Sequence, residues 1–527
     1  MDIGTISLVL LIGMLVLLAI GMPLGFASGI LAVAVLVMKF GPDLLFRDFG
    51  RGPLSILAQR MYGLTTDYVL ISVPLFIFMA TLLERSGIAR DMYSSLSLWL
   101  NRTRGGIALV TSVMAVVMAA MSGIIGGEVV LLGLIALPQM LRLGYNQNLA
   151  IGTICASGSL GTMIPPSIVL IMYGLITETS IHALFKAAFV PGFMLAGLYM
   201  VYIIIRTRIN PDLAPLSEPN PDDMDGRAKL INGSILISLL VTGGLVLLVV
   251  RAVFLQYFDR IEDDTSMVSN AFVTQALIGA GVLLAYLLFV MGPARVREAW
   301  RIGKGLVAPL LVVFVVLGSI YGGITGITEA AGMGCIAVLV LIIFRGEFSF
   351  NLVHEALMRT FKSTGTIIWV TFGATALAGA YTIAGGPTYV ANLIVGAELP
   401  TLGVLLMMML IFLFLGAFMD WVGIVLLVMP VFLPIVLKLP VADLGMFSPL
   451  VDARSFIPVW FGILFCINMQ VSFLSPPFGP AAFYLKSVAP SHITLPQIFR
   501  GFLPFILLQL VILTAVLFFP ELTMMLR

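Results

Sequence analysis

Long apolar runs separated by short polar segments repeat from one end of this 527-residue chain to the other. A run of about 20 apolar residues is long enough to cross a bilayer as a helix. By this criterion the chain contains roughly thirteen to sixteen membrane-embedded segments, some of them broken or re-entrant. The first run, residues 3–38, carries Gly21-Met-Pro-Leu-Gly25 near its middle, where we expect a kink or a division. Residues 53–66 are less apolar and predict an interfacial helix.

The composition supports the same interpretation. Apolar residues make up 60% of the chain and charged residues 10%, whereas a soluble domain is about 25% charged. The net charge of +2 has no bearing on a nucleic-acid partner, but the lack of a basic, aromatic-rich patch argues against one. The three histidines and three cysteines show no metal-ligand spacing, and there is no phosphate-binding glycine-rich loop with its lysine. We therefore expect an all-α polytopic membrane protein that is not an enzyme and whose first apolar run is retained.

Loop charges predict part of the topology. Two apolar spans, residues 230–250 and 271–291, are flanked by basic segments and joined by an acidic loop. By the positive-inside rule the basic flanks are cytoplasmic and the acidic loop faces out. The basic residues are Arg206, Arg208, Arg227 and Lys229 before the pair and Arg295, Arg297, Arg301 and Lys304 after it, and the acidic ones are Asp259, Glu262, Asp263 and Asp264. Because two inserted spans leave the orientation of the following chain unchanged, this pair is interpreted as an addition to a smaller core.

Two Pro-Pro pairs interrupt apolar stretches, one in each half of the chain. They are Pro165-Pro166 and Pro476-Pro477. Proline removes a backbone donor and disfavours helix in the preceding residue, so each pair must break a helix. Broken backbone at membrane depth is tolerated only where it is buried in protein or lines a cavity, and matched breaks in two halves point to the binding site of a secondary transporter.

A weak internal similarity supports two halves. Leu137-Pro-Gln-Met-Leu-Arg-Leu143 resembles Leu433-Pro-Ile-Val-Leu-Lys-Leu439, and each precedes its own Pro-Pro segment. We predict two inverted repeats, each with a re-entrant helical hairpin and a Pro-Pro-broken helix. The regions expected are 1–105 (N-terminal scaffold spans), 106–205 (first transport repeat, with hairpin 1), 206–304 (linker and inserted two-span hairpin), 305–400 (second-half scaffold and entry to hairpin 2) and 401–527 (second transport repeat and C-terminal span).

Few charged residues lie deep in the apolar stretches. Glu128 is the only charged residue between Arg104 and Arg142. Asp420 lies between glycines in a long apolar region. A carboxylate at the bilayer centre costs about 2.5–3.5 kcal/mol, so such groups are usually functional or paired. Each is a candidate for cation binding, and the alternative is a structural hydrogen bond to a helix end. For Glu329 the helix cap is the favoured role.

Neutral oxygens collect around both breaks. Sodium is a hard cation, and unwound carbonyls together with Ser and Thr hydroxyls can bind it without further buried charge. A half-helix N-terminus after each Pro-Pro pair, at Ser167 and Phe478, offers N–H groups to a substrate carboxylate. The alternative role of these small polar residues is close helix packing. The substrate-binding candidates are Ser157, Ser159, Ser167, Thr328, Asn468 and Gly479.

With these motifs the chain resembles the large membrane subunit (M, DctM-like) of a tripartite ATP-independent periplasmic, or TRAP, transporter. The similarity covers nearly the whole chain except about residues 215–300, which resemble the extension of longer members. The matching stretches are Gly161-Thr-Met-Ile-Pro-Pro-Ser167, Gly323-Ile-Thr-Gly-Ile-Thr-Glu-Ala-Ala331, Gly416-Ala-Phe-Met-Asp420 and the segment from Asn468 through Pro476-Pro-Phe-Gly479.

The resemblance implies a multi-pass permease of the bacterial inner membrane that imports organic anions, expected to be carboxylates, by secondary active transport with Na⁺ symport. It also implies elevator-type transport and scaffold domains. It also implies two partners, a small membrane subunit (Q) and a soluble periplasmic substrate-binding protein (P). One implied Na⁺ site comprises Ser122, Ile125, Gly161, Ile164 and Pro166. A second comprises Thr325, Gly416, Asp420 and Ser475.

The first hairpin tip departs from the family pattern. Many members have a serine-rich tip, whereas this chain has Ile124-Ile125-Gly126-Gly127-Glu128. Ligation there must use the backbone, or Glu128 compensates. An alternative function is a stand-alone Na⁺/dicarboxylate-type carrier that needs no binding protein. A membrane-embedded enzyme or channel subunit is a further class, which lacks a catalytic constellation in the sequence.

Overall fold

The fold is described from a computed structural model of the protein. The described residues are 1–46, 52–100, 103–123, 126–216, 224–258, 270–396, 399–417, 419–439, 453–477 and 479–526. Within these ranges the chain forms helices and short 3₁₀ turns and no β-strand. Nine of the described helices are long and apolar enough to cross a membrane. The predicted all-α polytopic class is confirmed.

The first half contains eleven helices. The break near the middle of the first apolar run is confirmed, because one helix ends at Ala19 and the next begins after Pro23. Residues 53–66, for which an interfacial position is predicted, form a helix over Pro53–Thr65. The helices are α1 (Ile3–Ala19), α2 (Leu24–Phe40), α3 (Asp43–Phe46), α4 (Pro53–Thr65), α5 (Ser72–Arg85), α6 (Ile88–Leu100), α7 (Gly106–Ser122), α8 (Gly127–Arg142), α9 (Gln147–Gly158), α10 (Ile168–Thr177) and α11 (Ile181–Ile209).

The remainder of the chain contributes eleven more helices. The two predicted inserted spans are present as α12 and α13, the latter continued by a short π-helical turn, Tyr286–Met291. The helices are α12 (Gly226–Phe258), α13 (Asn270–Ala285), α14 (Pro293–Tyr321), α15 (Ile327–Phe344), α16 (Phe350–Ile383), α17 (Gly386–Val395), α18 (Thr401–Gly416), α19 (Trp421–Val436), α20 (Ala453–Leu474), α21 (Pro480–Lys486) and α22 (Leu495–Phe518).

The order of elements in α7–α11 recurs in α18–α22. Each set starts with two short helices joined by a tight turn, continues with a helix that ends just before a Pro-Pro pair, and resumes with a short helix and a long one. Both Pro-Pro bonds are cis. The second hairpin is therefore α18–α19, which begins at Thr401. Its first helix follows directly on the region 305–400, since Pro400 is the residue before α18. Within that region Gly323 lies in the turn between α14 and α15.

The two repeats pack into each other. The short helix α10, which follows the first Pro-Pro pair, contacts α19 of the second hairpin, and α21, which follows the second pair, contacts α8 of the first. The helix α20 lies at the centre and contacts α18, α11 and α22. Its aromatic side chains Trp460, Phe461 and Phe465 are fully buried, and the Trp460 indole N–H donates to the Val516 carbonyl oxygen at 2.8 Å. Dense apolar packing thus surrounds both breaks.

The long helix α16 forms a second packing unit with helices from the N-terminal region. It contains 34 residues and is therefore about 50 Å long at 1.5 Å per residue. It contacts α2, α4, α5 and the hairpin helix α19. At its crossing with α2, Gly373 faces Gly25, and a methyl group at Gly373 would meet the Gly25 backbone. The added pair α12–α13 contacts α14 and carries few buried residues, as expected for a peripheral addition.

Candidate functional site

The turn between α7 and α8 lies against the first Pro-Pro loop. Gly123 ends α7 with φ +57°, a left-handed conformation that is strained for residues with a side chain. Its carbonyl oxygen accepts a 3.4 Å hydrogen bond from the Ile168 N–H, the first residue of α10. A methyl group at Gly123 would collide with the Pro166 carbonyl. The hairpin turn and the cis Pro165–Pro166 loop are therefore in direct backbone contact.

The second hairpin turn has a related arrangement. Gly416 ends α18, and a methyl group there would collide with the Ser472 side chain of α20. A small cavity at this contact is lined by Gly416, Asp420, Ser472 and Pro480. Asp420 begins α19 and is exposed rather than enclosed. The structure thus brings Gly416 and Asp420 together near the residues that flank the second Pro-Pro pair.

Four of the five residues expected for the first Na⁺ site gather around the first hairpin turn. Ser122 ends α7, and Gly161 lies in a 3₁₀ turn, Leu160–Thr162, that contacts α7. Ser122, Gly161, Ile164 and Pro166 are all buried. The fifth, Ile125, lies outside the described residues. The carbonyls and hydroxyl needed for a mostly neutral cation site are therefore close to one another.

The residues expected for the second Na⁺ site do not form one group. Thr325 lies in the turn between α14 and α15. That turn is next to α5, since Thr328 at the start of α15 donates a 3.3 Å hydrogen bond to the Tyr68 carbonyl oxygen. The Ser475 hydroxyl donates to the Val471 carbonyl oxygen at 2.7 Å within α20. Only Gly416 and Asp420 of the four line the small cavity. Thr325 matched a family motif, and motif order does not fix which turns meet in space.

The serine hydroxyls near the first break form hydrogen bonds to other groups of the protein. Ser157 and Ser112 share a 3.0 Å hydrogen bond, and Ser159 donates to the Ala156 carbonyl oxygen at 2.7 Å. Ser167 donates to the Thr162 carbonyl oxygen at 2.5 Å and accepts from the Leu170 N–H, which caps α10. These three serines are fully buried. In this conformation they fix the broken segment rather than face an open cavity.

The candidates of the second half are also involved in structural contacts. The Asn468 side-chain amide donates to the Met409 carbonyl oxygen at 2.9 Å and joins α20 to α18. Its Oδ1 atom is buried and has no hydrogen-bond partner among the described residues. Gly479 precedes α21 and closely approaches the backbone of Leu474. The proposed anion site at Phe478 lies outside the described residues.

Two buried amides that the sequence analysis did not single out join the halves. Gln470 of α20 donates to the Ser159 carbonyl oxygen at 3.1 Å, and Gln509 of α22 donates to its hydroxyl at 3.4 Å. Both glutamines are fully buried. A polar amide within an apolar helix is a signal of such a role, because burying it is costly unless it is hydrogen-bonded. Helices of the second half thus make direct hydrogen bonds to Ser159, close to the break of the first half.

A cavity of about 200 Å³ lies beside the first hairpin turn. Ser122, Gly127 and Glu128 line it from the hairpin, Glu84 from α5 and Arg359 from α16. Glu84 and Arg359 form an ion pair, with Oε1 and Nη1 2.9 Å apart. Glu84 and Arg359 both lie near the ends of apolar runs in the sequence, where charged residues are common. The sequence pattern therefore gave no reason to name them as candidate site residues.

Comparison with known proteins agrees with this architecture. Residues 11–522 match the family described as "Tripartite ATP-independent periplasmic transporter, DctM component". The chain belongs to the DctM family. It is accordingly the large permease subunit of a TRAP transporter, a multi-pass protein of the inner membrane, and its relatives are permease subunits rather than enzymes.

Named relatives of this DctM-family chain match along almost their full length. It is 24% identical over 496 residues to the C4-dicarboxylate TRAP transporter large permease protein DctM of Pseudomonas aeruginosa, covering 94% of this chain and 92% of the relative. It is 25% identical over 525 residues to the ectoine/5-hydroxyectoine TRAP transporter large permease protein UehC of Ruegeria pomeroyi, covering 98% and 97%. The solved YdaH transporter of Alcanivorax borkumensis aligns with a TM-score of 0.46 at 15% identity, covering 94% and 96%, a likeness too low to support a conclusion.

Proposed function

We propose that this DctM-family permease couples Na⁺ entry to the uptake of an organic anion, in particular a carboxylate. The observation that supports this proposal most directly is the contact between the first hairpin turn and the cis Pro165–Pro166 loop. Broken helices at membrane depth place carbonyls and N–H groups where an ion and its co-substrate can bind. The relative from P. aeruginosa is named for C4-dicarboxylates, which are organic anions.

The proposed Na⁺ ligands fall into two groups. At the first hairpin they are the Ser122 hydroxyl and backbone oxygens of the Gly161–Pro166 loop, together with Ile125. At the second hairpin they are Asp420 and Gly416. Thr325 and Ser475 stay predictions for this site. A carboxylate supplies the charge at the second site, and neutral oxygens complete the coordination.

The two interlocked hairpins and broken helices are proposed to move together against α16 and its neighbours, as in an elevator mechanism. Each hairpin contacts the half-helix of the other repeat, so neither can shift alone. The cavity beside the first hairpin lies next to the Arg85–Glu355 ion pair, whose Nη1 and Oε2 atoms are 2.7 Å apart. Arg85 belongs to a basic cluster with Arg90, Arg102 and Arg104, which the positive-inside rule assigns to the cytoplasmic side. The cavity is therefore expected to release substrate in that direction.

The partners proposed are a small membrane subunit and a periplasmic substrate-binding protein. Uptake in proteoliposomes tests this directly. With both partners present and an inward Na⁺ gradient, the liposomes should accumulate the ligand of the binding protein, and removal of either partner or replacement of Na⁺ by choline should abolish accumulation. Transport by this chain alone would contradict the tripartite proposal and favour a stand-alone carrier.

Asp420→Asn tests the second Na⁺ group. The amide keeps the size of the side chain but removes the charge that attracts the cation, so we expect a higher half-saturating Na⁺ concentration, by about tenfold. The measurement is the initial uptake rate as a function of Na⁺ at constant ionic strength. Glu521→Gln, an exposed carboxyl near the end of the chain, is the matched control. An unchanged Na⁺ dependence in Asp420→Asn would remove this residue from the site.

A further inference from the structure

A cavity of about 410 Å³ lies between the second hairpin and the helices α1 and α16. Its volume is about twice that of the cavity beside the first hairpin and lies in the range of about 300–1,000 Å³ that is typical of sites for small organic molecules. Residues that line it include Leu10 and Met14 of α1, Leu377 of α16, Leu415 of α18, and Leu427 and Phe432 of α19.

Nearly all of the lining side chains are apolar. The exceptions are Ser7, Tyr381 and Thr382. Ser7 Oγ and Tyr381 Oη form a hydrogen bond of 2.8 Å, and the Thr382 hydroxyl donates to the Ala378 carbonyl oxygen at 2.7 Å. Such a cavity does not stabilise water, which needs about two to four polar partners. Hydrocarbon gains dispersion contacts with every wall, so the cavity fits a hydrocarbon chain.

The cavity is continuous with the outer apolar surface of α1. Leu11 lines the cavity and is nevertheless 54% exposed. Its neighbours Leu8, Ile12 and Leu15 are 57%, 51% and 47% exposed, and they do not line the cavity. A membrane helix that is apolar on all sides turns such exposed side chains toward lipid. A chain from the surrounding bilayer can therefore enter past Leu11 without crossing water.

The polar end of the cavity lies toward the periplasm. Glu355, near the start of α16, pairs with Arg85 of the basic cluster assigned to the cytoplasmic side. Tyr381 follows 26 positions later in the same helix, a rise of about 39 Å that exceeds the hydrocarbon thickness of about 30 Å. Tyrosine is also enriched at membrane interfaces. From Ser7 to Met14 the cavity extends about 10 Å along α1, which is most of one leaflet.

The inner end of the cavity reaches the turn of the second hairpin. Met419 lines this cavity and also lines the small cavity beside Gly416 and Asp420. A hydrocarbon chain that reaches Met419 therefore packs against the turn that carries Asp420.

We infer that an acyl chain of a phospholipid from the periplasmic leaflet binds in this cavity, with the head group near the Ser7–Tyr381 pair and the end of the chain at Met419. The chain packs between the second hairpin and the helices α1 and α16, and it stabilises the hairpin in this position. Any movement of the hairpin relative to these helices must shift or release the chain, so the lipid regulates uptake. This site is separate from the proposed Na⁺ and substrate sites.

Photolabelling of the full-length protein in proteoliposomes tests the site. The probe is a phosphatidylethanolamine with a diazirine near the end of one acyl chain, and labelled residues are identified by mass spectrometry. Wild-type protein should be labelled at Met14 and Met419. Leu10→Trp fills the cavity from α1 and should reduce this labelling by at least about fivefold, because the added ring takes the space of the chain. Leu15→Trp, the same substitution at an exposed position of the same helix, should leave it unchanged.

Two outcomes of the labelling would overturn the inference. Equal labelling of the Leu10→Trp and Leu15→Trp proteins would show that the label reports only lipid on the outer surface. Wild-type protein labelled on the outer face of α1 but not at Met419 would show that another segment, such as a helix of the small subunit, covers the cavity. If Leu10→Trp does not fold, Ala378→Leu replaces it as a smaller addition from α16 and should also reduce the labelling.

Two further measurements test stabilisation and regulation by the lipid. In detergent, added phosphatidylethanolamine should raise the thermal unfolding midpoint of wild-type protein more than that of Leu10→Trp, and glycerophosphoethanolamine, which lacks acyl chains, should not raise it. In proteoliposomes, the initial uptake rate should depend on acyl-chain length more strongly in wild-type protein than in Leu10→Trp. An equal lipid response of the two proteins would contradict the inference. Because labelling is measured without transport, its failure is distinguishable from failure of the proposed uptake.

Discussion

At the scale of single residues, the backbone of Gly123 determines how closely the first hairpin approaches the Pro-Pro loop. Its φ of +57° turns the chain at the end of α7. The absence of a side chain lets the Pro166 carbonyl lie directly against it. The same residue accepts the Ile168 N–H, so it also stabilises the first turn of α10. Gly123 thus turns the chain at the hairpin, contacts the Pro-Pro loop and accepts a hydrogen bond from the first turn of α10.

Gly123→Ala should destabilise the protein and reduce uptake. The left-handed conformation alone costs an alanine about 1–2 kcal/mol, and the collision with Pro166 adds to this. Thermal unfolding of the purified protein measures the first effect, and uptake in proteoliposomes the second.

Gly197→Ala in α11 is the matched control for Gly123→Ala. Gly197 lies within a helix and has no atom within 4 Å of the added methyl group. It should be neutral or slightly stabilising. Equal stability of the two alanine variants would show that the close approach at Gly123 is not required.

At the scale of helices, the sequence predicted most of the elements but not all of their neighbours. The division between α1 and α2, both Pro-Pro breaks and the two added spans follow from local rules on proline, glycine and apolar length. The neighbours of the turn at Gly323 did not follow from such rules, since a glycine-rich motif marks a turn without saying which helices lie against it.

The residues missed at the first cavity have a similar explanation. Glu84 and Arg359 are 275 positions apart in the chain, and no local pattern pairs them. Likewise the glutamines Gln470 and Gln509 bind a serine more than three hundred positions away. The residues expected around Ser122 came from the family resemblance, which pairs a hairpin turn with the following Pro-Pro loop. The acidic and basic side chains opposite it depend on the packing of α5 and α16.

The crossing of α16 with α2 allows a test of helix packing. Gly373→Ala would push a methyl group into the Gly25 backbone and should destabilise the protein by about 1–3 kcal/mol. Gly365→Ala in the same helix is the matched control, because no atom lies within 4 Å of its added methyl group. Thermal unfolding of both variants checks the prediction, and a Gly373→Ala protein as stable as the control would contradict it.

At the scale of the whole molecule, the added pair α12–α13 leaves the repeat architecture unchanged. The preceding helix, α11, ends in a basic segment, and the following helix, α14, begins in one. The pair carries few buried residues and contacts the remainder mainly through α14. We therefore predict a peripheral hairpin whose two ends lie on one side of the membrane.

Cysteine labelling tests this topology. The native cysteines Cys155, Cys335 and Cys466 are buried, so they should give little background. A cysteine that replaces Asp263, in the acidic loop outside the described residues, should react with an impermeant maleimide added to intact spheroplasts. Gly226→Cys, before α12, should react only after the membrane is permeabilised. Reaction of both from the outside would overturn the assigned orientation.

The exchange of short helices between the repeats has a consequence for how the protein can be assembled. Since α10 completes the second hairpin and α21 completes the first, a polypeptide severed between α11 and α12 would yield two fragments that each lack an essential neighbour. Neither fragment is then a folding unit in its own right. The first hairpin, α7–α8, therefore reaches its native packing only after α21 has been inserted into the membrane. Synthesis of α21 comes more than three hundred residues after that of the hairpin.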